Sequence, residues 1–177
     1  SPAADEWARL RLGRVGGRLL ALPLRRGAGV LSSLARADGL ACVPIGCEAV
    51  VAGEEIEVEL LRPLAEIERM LLLAGSTDPA GEALAATGLV VADCIGSVAG
   101  AEALDGGRCH LALLASEDVP ADAVSLLRHT RELGLAVARG NPLGITGVRS
   151  LGGATRFANR PTGSAARRLL DRLLAER

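Results

Sequence analysis

Hydrophobic and polar positions change rhythm once along this chain, near residue 62. Residues 9–12 alternate arginine with leucine, Gly16 and Gly17 supply a turn, and residues 19–24 form a second apolar run that carries Pro23 near its end. Gly53 and Glu54 then precede Ile56, Val58 and Leu60, which alternate with Glu55, Glu57 and Glu59. A period of two is the pattern of a half-buried strand, so these three carboxylates are expected to share a solvent-facing side. Short strands punctuated by glycine predict a small, mainly-β domain over residues 1–62.

Arg62 and Pro63 end that rhythm, and residues 63–69 are expected to form a linker. Residues 70–73 then read as a short continuous apolar strand, 80–86 as a helix, 89–92 as a strand, 96–100 as a turn, 99–104 as a helix and 110–114 as a strand. A longer helical pattern covers residues 165–174. Strand, loop and helix in succession predict an α/β domain with parallel strands over residues 70–177. Ligands of such sheets sit beyond the carboxyl ends of the strands, where Ser76, Thr77 and Ser97 fall.

Three loops share one design. Residues 75–79 read Gly-Ser-Thr-Asp-Pro, Gly96 and Ser97 precede the second helix, and Gly163 and Ser164 precede the last. Hydroxyls and unpaired backbone N–H groups at a helix start favour an anion, and the helix dipole acts in the same direction. From residue 149 to 168 there are five arginines and no acid. Together these features predict an oxyanion or phosphate site built from Ser76, Thr77, Ser97, Asn141 of the Gly-Asn-Pro turn, and Ser164. Arg160 or Arg167 would supply the compensating charge. Each element also has a plainer reading: serines before helices are commonly caps, and helix arginines are commonly solvated. Asp78 is expected to cap its own helix, with Pro79 at the first helical position.

Composition narrows the alternatives. The 177 residues are 49% hydrophobic, enough for a buried core, and the net charge is only -1. Trp7 and Phe157 are the only aromatics, so stacking platforms for single-stranded nucleic acid have almost no material and no nucleic-acid partner is expected. Apolar runs such as 70–74 and 111–115 are too short to span a bilayer, so no membrane partner is expected either. Four residues separate Cys42 from Cys47, and there is no matching second pair. The four cysteines therefore read as reduced thiols, no metal site is expected, and the cytoplasm fits. No lysine is present, which rules out the phosphate-loop pattern. No Gly-x-Ser-x-Gly elbow marks a nucleophile. His110 begins an apolar strand and reads as structural, whereas His129, beside Arg128, Thr130 and Arg131, is expected to face water.

The order of certain segments resembles a known family. GSTD at 75–78, GSVAGAEAL at 96–104, GGRCHLA at 106–112, RELGL at 131–135, GNPLGI at 140–145 and FANRPTGSAARRLLD at 157–171 resemble the periplasmic-binding-protein-like domain fused to molybdopterin molybdenumtransferases and to some molybdate-responsive regulators. RLGRVGGRLLALPL at 11–24, RGAGVLSSLARADGL at 26–40, PIG at 44–46 and AGEEIEVELL at 52–61 resemble the small C-terminal β-domain of the transferase itself. The resemblance implies a mainly-β domain followed by an α/β periplasmic-binding-protein-like domain that binds molybdate, tungstate or a related oxyanion between two lobes. It makes Arg26, Ser32 and Ser33 candidate contacts for a pterin phosphate or for molybdate, although the two serines also suit turns or caps. It further implies molybdenum cofactor biosynthesis and a homodimer. Molybdopterin and magnesium would be handled by the complete enzyme, and this chain alone would not be catalytic.

The chain departs from the family pattern where Ala166 replaces a threonine, where Pro161 stands at a glutamine position, and where residues 78–88 are short. The resemblance also implies that the α/β domain is incomplete, because the second lobe should cross back beyond Leu174. Two other functions therefore stand beside the first: a non-catalytic molybdate or tungstate sensor or binding module, and a structural module whose anion site has decayed.

Overall fold

A computed structural model describes residues 4–24, 34–47, 49–152 and 156–176. Strand β1 (Glu6–Val15) returns as β2 (Arg18–Pro23) through Gly16 and Gly17, whose φ values of 55° and 85° suit the tight turn that matches strand twist. Strand β3 (Gly39–Val43) pairs antiparallel with the other edge of β1, and β4 (Glu59–Leu60) pairs with β3, giving the order β2-β1-β3-β4. The strand expected from 55 to 60 is thus only two residues long. Its alternation finds a pairing partner only at Gly39 and Leu40, and Val58 alone of its apolar residues packs against the core, while Ile56 and all three glutamates are exposed. Periodicity specifies a face, but a strand also needs an edge to bond.

Residues 63–69 hold helix α1 (Leu64–Ile67), and Ile67 is buried with Leu10, Leu12 and Ala41. The second sheet follows. Strand β5 (Leu71–Gly75) is flanked by β6 (Val90–Asp93) and β7 (Leu111–Leu113), all parallel, in the order β6-β5-β7. Helix α2 (Pro79–Ala86) connects β5 to β6, and α3 (Ser97–Asp105) connects β6 to β7. The expected turn at 96–100 is confined to Gly96, at φ 93°, and the helix begins at once with Ser97. Gly81 of α2 lies against Leu73 and Leu113, whereas Ala103 and Leu104 of α3 pack with Leu72 and Ala74, which point to the other side of the sheet.

The two sheets meet. Val15, Leu20 and Leu22 join Met70, Leu72, Ala74 and Val91 in one apolar cluster, and a Cβ at Gly13 would lie 2.7 Å from the Leu72 side chain. Beyond β7, residues 119–147 carry no helix or strand, and helix α4 (Ala165–Ala175) ends the described chain.

Candidate functional site

Strand order determines where a ligand would sit. The connection from β5 leads to one side and the connection from β6 crosses back past β5, so the direction of winding reverses between β5 and β7. In open parallel sheets the crevice beyond the carboxyl ends at such a switch point is the ligand position. Here Ser76 N–H donates to Leu113 O at 2.9 Å and Gly96 N–H to Gly75 O at 2.9 Å, which draws the three loops together. Gly75 and Gly100 permit the close approach: Gly75 has φ 126°, and a Cβ on Gly100 would lie 2.6 Å from the Gly75 Cα.

The expected site residues have diverse surroundings. Ser76 and Thr77 lie at the switch point, Ser76 half-buried and Thr77 exposed. Ser97 is fully buried, and its Oγ accepts from Ala115 N–H at 2.7 Å, fastening the start of α3 to the end of β7. Ser164 caps α4, its Oγ accepting from Arg167 N–H at 3.2 Å. Arg167 Nε pairs with Asp171, one turn on, at 2.8 Å, while its Nη1 reaches the carbonyl of Arg160. Asn141, at φ 47°, uses both ends of its amide on the backbone of Ile145, closing the turn 141–145. Arg26, Ser32 and Ser33 lie outside the described residues.

Residues that the pattern did not single out as partners define the banks of the crevice. Asp78 is only 6% exposed. Its Oδ1 accepts from Ala80 N–H at 2.7 Å, the expected cap. Its Oδ2 faces His129 Nε2 at 3.2 Å and Arg131 Nη1 at 2.9 Å, and the same Nη1 donates to Thr77 O. His129 therefore does not simply face water: the buried carboxylate has a second oxygen to satisfy, and the histidine and arginine satisfy it. On the opposite bank Arg168 binds Asp118, with Glu117 3.5 Å away, and also donates to Gly163 O. His110 is structural as expected, its Nδ1 accepting from Leu72 N–H at 3.0 Å at the amino end of β5.

Burial alone would raise the pKa of Asp78, but the Ala80 N–H, His129 and Arg131 outweigh it and hold the carboxyl below its ordinary 3.8. A lowered folded-state pKa contributes stability above the unfolded value, and that contribution is lost as pH falls through the folded one. The advantage of the wild type over Asp78→Asn in urea unfolding should therefore be full at about pH 6 and shrink below about pH 4. A constant difference across that range would show that the charge contributes nothing. Burial likewise pushes the Cys109 thiol up, which keeps it protonated and unreactive.

Two surface hollows lie elsewhere. One of about 310 Å³ is lined by Arg62, Ile67, Arg69, Met70 and Leu89 at the junction of the sheets. Another of about 230 Å³ is lined by Leu135, Asn141, Leu143, Ile145 and Phe157. Among the described residues no group of three histidine, cysteine or acidic side chains is placed to hold a metal, and no helix is long and apolar enough to cross a membrane.

Comparison with known proteins gives two family matches, in the same order as the two sheets. The MoeA C-terminal region (domain IV) matches residues 1–61, and the PBP superfamily domain matches residues 82–177. No curated protein and no solved structure matches the chain. The N-terminal region is mainly β and the part that follows is an α/β, PBP-like domain. With that match spanning more than half of its length, the chain belongs to the PBP superfamily and carries a MoeA C-terminal-like segment ahead of the PBP-like domain.

Proposed function

We propose that this chain serves molybdenum cofactor biosynthesis, as the C-terminal portion of a molybdopterin molybdenumtransferase joined to a domain that binds molybdate or a related oxyanion. The observation that carries the reading is the succession of a MoeA C-terminal-like segment and a PBP-like domain in one chain. The switch-point crevice supports the second half of it. Ser76 and Thr77 offer hydroxyls there, and the first turn of α3 begins there with backbone N–H groups that have no partner within the helix. A dehydrated dianion needs several fixed donors of this kind. Pterin chemistry belongs to the complete enzyme, so binding is the output assigned to this chain.

One observation favours a second reading, a structural module with a decayed anion site. The Ser97 hydroxyl accepts an internal hydrogen bond, Arg167 and Arg168 lean on acids, and Asp78 already occupies the start of α2. Calorimetric titration with molybdate, tungstate, sulfate and phosphate separates the two. The proposed function expects molybdate binding that weakens by roughly ten- to a hundredfold in Ser76→Ala, the loss of one hydrogen bond to a charged ligand. A folded wild type that binds none of the four anions would establish the second reading.

A further inference from the structure

Residues 119–131 leave one bank of the switch-point crevice and arrive at the other. They start beside Asp118, which Arg168 holds just beyond β7, and they end at His129 and Arg131, which reach the loop after β5. Among the described residues, the side-chain hydrogen bonds and ion pairs that 119–137 make outside their own stretch are those of His129 and Arg131 to Thr77 and Asp78. The attachment is therefore electrostatic and concentrated at one point. Its acceptor is a buried carboxylate at the start of a helix, which is where an external anion would be favoured for the same physical reasons.

Arg131 differs from Arg167 and Arg168 in how much of its guanidinium is already engaged, and from the exposed Arg160 in being held against the loop after β5. The Nε of Arg167 is taken by Asp171 and the Nη2 of Arg168 by Asp118. Arg131 is 35% exposed and spends a single nitrogen, Nη1, on Asp78 and Thr77, so among the described residues its Nε and Nη2 remain open to a ligand. The planar guanidinium can thus hold the loop with one arm and offer a fork to an oxyanion beside Thr77.

Resting on the oxyanion-binding reading, we propose that Arg131, with His129 beside it, supplies the positive charge of that site, and that Asp78 holds the pair in place as an internal anion while the site is empty. A bound dianion then shares or takes over the guanidinium, and the strap 119–131 responds to ligand through this one contact. Asp78 is a competitor and a positioning residue at once, which sets the sign of its substitution. Asparagine keeps the helix cap but removes the competing charge.

The test is calorimetry with molybdate on the whole chain, with far-UV circular dichroism confirming each fold. Arg131→Gln should lose roughly ten- to a hundredfold in affinity, Arg131→Lys should recover part of it, and Asp78→Asn should bind more tightly than wild type. Arg18→Gln, the same charge change on β2, should bind as wild type does. The chain has two histidines, so proton NMR of the wild type adds a readout free of folding effects: molybdate should move the imidazole resonances of His129 and leave those of His110 in place. Unchanged affinity in Arg131→Gln, or a silent His129 at saturation, overturns this assignment while the oxyanion-binding reading stands. A loss in Asp78→Asn equal to that in Arg131→Gln would also overturn it, since the contact would then only hold the loop. A wild type that binds no molybdate overturns both together.

Discussion

Replacing Asp38 by alanine should destabilise the protein by about 3–5 kcal/mol, the range for removing one member of a buried ion pair. Asp38 is 1% exposed and lies against β1. Its Oδ2 takes Arg11 Nε at 2.7 Å and Leu12 N–H at 3.0 Å, and its Oδ1 lies 3.4 Å from Arg62 Nε. Its own backbone bonds Leu10 O and Leu61 N–H, so one residue links β1 to the chain that leaves β4. Alanine would leave the Leu12 N–H and the mostly buried Arg11 guanidinium without their acceptor, and unsatisfied groups of this kind carry their full desolvation cost. Arg62 is 43% exposed, so solvent screens its share, and Arg62→Ala should cost within about 1 kcal/mol. Urea unfolding measures both. An Asp38→Ala loss no larger than that of Arg62→Ala would refute the idea that Asp38 anchors the β-region.

Gly75→Ala should be comparably damaging, by about 3 kcal/mol or more, and should abolish the molybdate binding proposed for the crevice in whatever fraction still folds. Its φ of 126° lies where side chains are strained, and its Cβ would fall on the Leu113 carbonyl oxygen. That atom is backbone in the neighbouring strand, which cannot swing aside as a leucine tip can. Gly100→Ala presses on the same point from α3, against the Gly75 Cα. Gly134→Ala meets no atom within 4 Å and should stay within about 0.5 kcal/mol of wild type. Thermal unfolding of the three variants side by side checks the order. Equal melting temperatures for Gly75→Ala and Gly134→Ala would show that the sheet opens there at little cost.

Local signals in the sequence were informative wherever the physics is local. The hairpin β1–β2 follows from Gly16 and Gly17, the cap of α2 from Asp78 before Pro79, and the cap of α4 from Ser164, because each bond spans only a few residues. The parallel α/β arrangement was legible for the same reason, since apolar runs alternate with helical stretches. Features that join distant residues were not legible. Arg11 and Asp38 are 27 positions apart, Thr77 and Arg131 54, and Arg168 and Asp118 50, and no pattern of neighbours marks an aspartate as buried. The strand expected at 55–60 is cut to its last two residues for a related reason, as alternation cannot report whether a partner edge is available. For the residues proposed to bind an oxyanion, the position of Ser76 and Thr77 beyond a strand end was readable, but the burial of Ser97 depends on where β7 returns.

The contact of Gly13 with Leu72 bears on how such a chain can evolve. Two segments that match separate families do not hang here as beads on a string, because Val15, Leu20 and Leu22 of one fill the same apolar cluster as Val91, Ala103 and Cys109 of the other, with Leu72 and Ala74 of the stretch between them. Once two ancestral modules share an interior, neither can drift or be exchanged alone. A bulkier residue at position 13 would have to be answered by a smaller one at 72, so the junction inherits the substitution constraints of a single core.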